Sequence, residues 1–187
     1  MRFSPIFCAL VALAGCDSPT RQQASNGNEA LSDAGPHKGV DRSHRGQPGP
    51  GVSFKDPDGS DITLAEFRGK PLLVNLWASW CAPCVKELPT LDRLSQTNPA
   101  LEVVAISQDS GPHPSVVSFL GSHQAGHLDA FQDASMAMSG AMGVEVMPTS
   151  VLYDVKGREV WRYVGDLNWT SAAAAKLLAE GGVGSAG

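Results

Sequence analysis

A pair of cysteines where a strand pattern meets a helix pattern constrains this chain more than any other feature. Residues 72–77 are a nearly continuous apolar run of strand length, which is typical of a strand covered on both faces. After Cys81 the apolar residues recur about once per helical turn. The first turn of a helix has unpaired N–H groups and the positive dipole end, so Cys81 is favoured as the thiolate that attacks disulfides. Cys84 follows on the same face and can resolve the resulting mixed disulfide.

Two other roles are open to a Cys-x-x-Cys pair. A zinc site needs four ligands, usually including a second Cys or His pair at compact spacing, and the sequence has no such pair. A structural disulfide between residues so close together closes almost no chain and constrains the unfolded state little. A strand-to-helix junction is where a thioredoxin-like pair is expected, so the sequence predicts a redox-active pair with Cys81 as nucleophile.

The active-site segment carries a family resemblance. Residues 77–84, Trp-Ala-Ser-Trp-Cys-Ala-Pro-Cys, resemble the active site of the thioredoxin superfamily. The Lys-Glu-Leu-Pro at 86–89 is similar to the membrane-tethered, extracytoplasmic branch of TlpA-like or ResA-like thiol-disulfide oxidoreductases. The resemblance covers about residues 50 to 180 and implies an α/β, thioredoxin-like fold. In that fold a central mixed sheet is flanked by helices, and this branch adds an N-terminal β-hairpin.

The resemblance also implies roles for two residues outside the cysteine pair. Pro148 stands where the superfamily has a cis proline against the active-site disulfide, beside backbone that pairs with an extended substrate; an ordinary trans proline is the alternative. Thioredoxin has a buried aspartate where this chain has Asn75, and an amide cannot accept a proton at neutral pH. Glu87, one turn after Cys84, is the expected substitute for proton exchange, with a solvated helix glutamate as the alternative.

The first residues of the chain predict export and a lipid anchor. Arg2 supplies a positive charge, and an apolar stretch at 6–13 is too short to span a bilayer. The Leu-Ala-Gly-Cys at 13–16 resembles the bacterial lipobox, which implies a signal peptide at 1–15 and diacylglycerol on Cys16. An ordinary secretory signal cut elsewhere is the alternative. Asp17 resembles the signal for retention in the inner membrane, which implies a location on the periplasmic side of that membrane.

Composition separates the rest of the chain into a tether and a domain. Residues 16–50 are rich in Ser, Gly, Asn, Gln and Pro and have few bulky apolar residues, which predicts a flexible tether. The thioredoxin-like domain is expected at 51–187. A net charge of -5 without a basic cluster argues against nucleic acid as a partner.

Alternating strand and helix patterns predict an α/β sheet with right-handed crossovers. Turn residues separate short strands at 52–54 and 61–64, ahead of one helical turn at 64–67. Pro89 is expected to kink or interrupt the active-site helix. The other predicted strands are 101–106, 128–131, 150–154 and 160–164, and the other predicted helices are 115–120, 134–142 and 172–178.

The remaining candidate metal ligands are interpreted as structural. Three methionines in the predicted helix at 134–142 have helical spacing and are expected to fill gaps in the core. His113, His123 and His127 have no accompanying cysteine or carboxylate pattern and are expected on the surface or in loops. The sequence therefore predicts neither a metal nor another cofactor.

The resemblance favours reduction over oxidation. Strong oxidants of the superfamily typically have a histidine between the cysteines, whereas this chain has Ala82 and Pro83. The implied substrates are disulfide-containing proteins, namely apocytochrome c or the copper-site cysteines of terminal oxidases. A membrane-embedded thiol carrier is the implied electron donor.

Three other functions stay open. A thiol peroxidase of the peroxiredoxin type shares the fold but has a Pro-x-x-x-Thr-x-x-Cys pattern, which is missing here. A copper-delivery protein of the Sco type has three residues between its cysteines and a distant histidine ligand. An interaction domain with a vestigial cysteine pair is the third possibility.

Overall fold

One mixed sheet of eight strands organises the part of the chain that the structure describes, residues 38–184 of a computed structural model. In chain order the strands are β1 (Gly39–Asp41), β2 (Phe54–Lys55), β3 (Asp61–Ile62), β4 (Leu72–Trp77), β5 (Glu102–Ser107), β6 (Phe131–Gln132), β7 (Thr149–Tyr153) and β8 (Glu159–Val164). Across the sheet their order is β1-β8-β7-β4-β5-β6-β2-β3. The prediction of a thioredoxin-like fold with a central mixed sheet is confirmed.

Four α-helices and one 3-10 turn cover the two faces of this sheet. The α-helices are α1 (Ala82–Thr97), α2 (His113–Ser122), α3 (Ala137–Met142) and α4 (Ala172–Ala179), and the 3-10 turn is Leu64–Phe67. The buried apolar side chains of α1, α2 and α4 belong to one cluster, and those of α3 and the 3-10 turn belong to another. The sheet therefore separates two hydrophobic cores.

Strand β4 lies at the centre of the sheet and leads into the loop that carries Cys81. It pairs in parallel with β5 and antiparallel with β7, and all six of its residues are buried. Alternate side chains enter opposite cores, so Leu73 and Trp77 face the α1 side while Leu76 faces the α3 side. Because β5 and β6 run parallel to β4, their carboxyl ends meet at the same edge of the sheet as the start of β7.

The predicted N-terminal hairpin is present. β2 and β3 pair antiparallel, with Phe54 opposite Ile62. The 3-10 turn begins at a capping box in which the Thr63 side chain accepts from the backbone and Glu66 reaches back to the Thr63 N–H.

The prediction that the flexible tether continues to about Pro50 is wrong at its end. Gly39–Asp41 forms β1, which pairs antiparallel with β8 and buries Val40 in the α1-side core. The folded domain therefore begins well before Gly51. The predicted signal peptide, Cys16 and the predicted tether up to residue 37 lie outside the described residues.

The expected interruption of α1 at Pro89 does not occur, since the helix is continuous from Ala82 to Thr97. A proline inside a helix costs about 3 kcal/mol. Leu88 and Leu91 lie on either side of it and are fully buried, and burial of a leucine side chain contributes about 1.5–3 kcal/mol. Packing on the sheet therefore outweighs the local cost.

The bounds of α2, β6 and α3 also differ from the predicted ones. Helix α2 begins at His113 because Pro114 suits its first turn, whereas the sequence predicted a start at Ser115. Strand β6 is Phe131–Gln132 alone, and α3 is shorter than the predicted 134–142. Met138 and Met142 are buried as predicted, but Met136 precedes α3 in a left-handed conformation and is 42% exposed, so it is not a core residue.

Candidate active site

The two cysteines form a disulfide at the start of α1. Cys81 is the N-cap of the helix, and its sulfur accepts a hydrogen bond from the Cys84 backbone N–H at 3.3 Å. Pro83 occupies the first turn, where a missing N–H loses no helical partner. Cys84 is fully buried, whereas Cys81 keeps 7% of its surface. A reacting molecule therefore meets Cys81 before Cys84.

A carboxylate on the neighbouring strand end fixes the loop that leads to the cysteines. Asp109 accepts from the Ser79 N–H at 3.0 Å, from the Ser79 hydroxyl at 2.8 Å and from the Ser107 hydroxyl at 2.8 Å. Sequence reasoning missed Asp109. The available signal was its position just after a strand parallel to β4, which places it at the active-site edge of the sheet.

A groove lies beside this loop, and the residue that precedes Cys81 forms part of its wall. Its volume is about 230 Å³, and its walls include Ser79, Trp80, Pro112 and Phe119. Trp80 directly precedes Cys81 and is 66% exposed, which is unusual for so large an apolar side chain. The groove therefore offers an apolar wall to a molecule that reaches Cys81.

Glu87 is buried on α1 in a shell of neutral donors. Its Oε1 accepts from Asn75 Nδ2 at 2.7 Å, and its Oε2 accepts from the Leu167 N–H at 3.0 Å and from Trp169 Nε1 at 3.3 Å. Burial raises the pKa of Glu87 from 4.5 to about 7, although the three hydrogen bonds act in the opposite direction. The alternative of a solvated helix glutamate is therefore wrong, because only 3% of the residue is exposed.

The peptide bond between Met147 and Pro148 is cis, as the resemblance implied. Pro148 is buried just before β7, and the next residue, Thr149, lies opposite Leu76 near the end of β4. The Pro148 carbonyl accepts from the Gly165 N–H at 2.8 Å. This segment therefore borders the same edge of the sheet as the cysteine loop.

The histidines considered above as candidate metal ligands make contacts with other protein groups. His113 Nε2 lies 2.6 Å from the Ala130 carbonyl oxygen, and His127 Nδ1 lies 3.1 Å from Asp92 Oδ2. In residues 38–184, no group of three or more His, Cys, Asp or Glu side chains is arranged to hold a metal ion. Over the same residues, no helix has the length and apolar character needed to cross a membrane.

A thioredoxin-like fold with a disulfide-forming pair at a helix start defines a thiol-disulfide oxidoreductase, and the prediction of this class of enzyme is confirmed. The chain belongs to the Redoxin family, whose sequence profile matches residues 44–178.

Proteins to which the chain is similar belong to the same class. The chain is 29% identical to the thiol-disulfide oxidoreductase ResA of Bacillus anthracis over 123 residues, which cover 65% of this chain and 70% of ResA. It is 30% identical to the thiol:disulfide interchange protein DsbE of Pseudomonas fluorescens biotype C over 140 residues, 72% of this chain and 76% of DsbE. A crystal structure assigned to DsbE from Chlorobium tepidum superposes with a TM-score of 0.65 at 25% identity, covering 73% of this chain and 96% of that one. The chain is thus an oxidoreductase of the ResA and DsbE type.

Proposed function

We propose that this protein is a membrane-anchored, extracytoplasmic reductase of disulfides in other proteins. The observation that carries the proposal is the Cys81–Cys84 pair, in which Cys81 alone of the two keeps surface exposure and Cys84 is held directly behind it. This asymmetry suits a sulfur that attacks a partner and a second sulfur that displaces the partner afterwards.

In the first step, the Cys81 thiolate attacks a sulfur of the substrate disulfide. A bond forms between Cys81 and the substrate, the substrate disulfide breaks, and the released substrate thiolate takes a proton. The place of Cys81 at the N-terminus of α1 supports this role, because the helix dipole and the Cys84 N–H both stabilise negative charge on its sulfur.

In the second step, the Glu87 carboxylate takes the proton of the Cys84 thiol. The Cys84 thiolate then attacks the Cys81 sulfur, closes the Cys81–Cys84 disulfide and releases the second substrate thiolate, which is protonated in turn. The pair has lost two electrons and the substrate disulfide has gained them. A pKa of about 7 supports this role of Glu87, since a group near its midpoint both accepts and donates protons at neutral pH.

Pro148 and its neighbours are the proposed docking site for the substrate backbone. Proline has no N–H, so the ring leaves the approach to the sulfurs free of a competing donor. The position of Pro148 at the sheet edge that carries the cysteine loop supports this assignment. The exposed Trp80, which directly precedes Cys81, would also contact the substrate.

The proposed direction is reduction, with a membrane thiol carrier as the electron donor. Ala82 and Pro83 place no cation between the cysteines to stabilise the reduced form. The proposed substrates are apocytochrome c or the copper-site cysteines of terminal oxidases. Reduction of such sites needs a dedicated donor because the compartment outside the cytoplasm is oxidising.

The proposed anchor is a diacylglycerol group on Cys16, which holds the domain on the periplasmic face of the inner membrane. The motif at residues 13–16 supports this proposal. Expression of the full chain with Cys16→Ser is expected to move the protein from the membrane fraction to the soluble fraction. An unchanged membrane fraction would remove the lipid anchor from the proposal.

The test of the function is covalent capture of the partner. With Cys84→Ser, the second step is blocked, and mixed disulfides through Cys81 are expected to accumulate in cells and to be released by reductant. The matched control is Cys81→Ser, Cys84→Ser, which has neither thiol of the active-site pair. Mass spectrometry of the released proteins identifies the substrate class, and a capture no larger than that of the control contradicts the proposal.

A further inference from the structure

Asn75 is a buried amide at the centre of the fold that binds the carboxylate of Glu87. It lies in the middle of β4, opposite Ala105 on one side and Ser150 on the other, and it has no exposed surface. Its Nδ2 donates to Glu87 Oε1 at 2.7 Å and to the Ser150 hydroxyl at 2.9 Å. Its Oδ1 is buried with no hydrogen-bond partner among the described residues.

The partners of Glu87 differ in what they can do when the carboxylate gains a proton. The Leu167 N–H and the Trp169 Nε1–H hold Oε2, and both groups can only donate. A proton on the side of Oε2 would therefore face donors. Asn75 holds Oε1, and an amide that turns over exchanges its donor for an acceptor. Oε1 is thus the oxygen whose partner can adapt to a proton.

We infer that Asn75 is a positioning residue for Glu87 that reverses its amide when Glu87 is protonated. The Nδ2–H donates to Oε1 of the ionised carboxylate, and Oδ1 accepts from Oε1–H of the protonated one. The inference rests on the proposed role of Glu87 in proton exchange. It assigns the exchanged proton to Oε1 and gives a function to the amide that replaces the aspartate of thioredoxin.

The surroundings of Asn75 permit this reversal. The second partner, Ser150, has a hydroxyl that accepts from Nδ2 in one state and donates to Oδ1 in the other. The position that faces away from Glu87 and Ser150 holds Oδ1 before the reversal, where it has no partner among the described residues, and the NH2 group after it. The hydrogen bonds to Glu87 and Ser150 are kept in both states. Both protonation states of Glu87 therefore keep a hydrogen bond at Oε1.

Other charged groups near Glu87 bear on its proton but do not touch Oε1. Asp166 favours the protonated form of Glu87, and it is itself paired with Lys86 at 3.1 Å and Lys38 at 3.8 Å. Tyr163 on β8 has its pKa raised chiefly by burial, with smaller contributions from Asp166 and Glu87. These groups shift the midpoint of Glu87, whereas the contact at Oε1 belongs to Asn75.

Nuclear magnetic resonance of the labelled, oxidised full chain tests the reversal. Above the midpoint of the Glu87 side-chain carboxyl carbon, the Asn75 NH2 protons are expected to show contacts to the Glu87 and Ser150 side chains. Below that midpoint these contacts are expected to disappear, and the Asn75 carbonyl carbon to shift with the same midpoint. The Gln108 side chain is an internal control, because this buried amide is bonded to Ser139 and its signals should stay constant. Asn75 NH2 contacts that persist below the midpoint would overturn the inference.

Glu87→Gln supplies a permanent counterpart of the protonated state. The side-chain oxygen of the substituted glutamine must face the two fixed donors, so its NH2 group faces Asn75, which must present Oδ1. The Asn75 signals are expected to show the low-pH pattern at every pH, and a high-pH pattern would contradict the reversal.

Asn75→Leu gives an independent readout if the glutamine variant does not fold. If the Asn75 amide binds both forms of Glu87, its removal is expected to move the midpoint of Glu87 by no more than about one pH unit. If Asn75 is a fixed donor to the ionised form, its removal raises that midpoint by several units, and this result overturns the inference. If Glu87 titrates but its titration leaves the second chemical step unchanged, the proposed proton exchange fails, and the Asn75 signals still decide the reversal.

Discussion

Replacement of Glu87 by glutamine is expected to change how stability depends on pH by an amount that the structure sets. The pKa of Glu87 is about 7 in the folded protein, against 4.5 for an ordinary glutamate, mainly because the side chain is buried. The folded protein therefore holds this proton more tightly than the unfolded chain. The wild-type protein loses stability as pH rises from about 4.5 to about 7, and above that window the buried charge costs about 3 kcal/mol, since one pKa unit is about 1.4 kcal/mol.

The assay is urea unfolding of the full-length wild type and Glu87→Gln, with the disulfide intact, between about pH 4 and about pH 8. Other titrating groups contribute equally to both proteins and cancel in the difference. The free energy of unfolding of Glu87→Gln, relative to wild type, is expected to rise by about 3 kcal/mol across this range. A difference that stays constant with pH would show that Glu87 titrates as an exposed glutamate, and the reasoning from burial would be refuted.

Three further predictions concern rate, loop anchoring and packing. The decay of a preformed mixed disulfide through Cys81, measured by quenched flow and gel analysis, should accelerate as pH rises, with a midpoint near pH 7 in wild type. In Glu87→Gln the decay should be about 100-fold slower and should lack this midpoint. A pH profile that is unchanged in Glu87→Gln would exclude Glu87 as the base. Asp109→Ala leaves the Ser79 and Ser107 donors unpaired and should lower the free energy of unfolding by about 1–3 kcal/mol in urea titrations; a loss no greater than that of exposed Asp129→Ala would contradict the anchoring role. Leu88→Ala should cost about 2–5 kcal/mol because the side chain is fully buried; a cost as small as that of the half-exposed Val117→Ala, expected within about 0.5 kcal/mol, would contradict the packing.

The centre of the fold was predictable because its signals are local. The apolar run at 72–77 predicted β4, and the structure has the strand at Leu72–Trp77. The cysteines, Pro83 and the Asn98-Pro99 stop mark both ends of α1 in the sequence itself. A strand that is buried on both faces and the residues that begin and end a helix can be recognised without knowledge of distant residues.

Strand β1 and Asp109 could not be predicted in the same way. β1 has three residues, of which Val40 alone is fully buried, and it lies in a polar segment whose composition favours disorder. Its stability comes from pairing with β8 near the other end of the chain. Asp109 resembles any loop aspartate until the parallel pairing of β4 and β5 brings it to Ser79.

The site around Glu87 was predictable in part. Helical spacing placed Glu87 on the face of Cys84, and the replacement of aspartate by Asn75 marked a change in proton handling. The donors from Leu167 and Trp169 come from the loop between β8 and α4, and no local pattern links that loop to α1. The shell that sets the proton affinity of Glu87 therefore required the structure.

Electron transfer between the cysteine pair and a protein disulfide is the central claim, and its stoichiometry is the most direct test. The reduced full chain is mixed with an excess of oxidised insulin, and both products are counted by mass spectrometry after acid quenching and thiol alkylation. One insulin disulfide should open for each Cys81–Cys84 disulfide that closes, and Cys81→Ser should open none. Insulin that stays oxidised while Cys81 and Cys84 remain reduced would contradict the account.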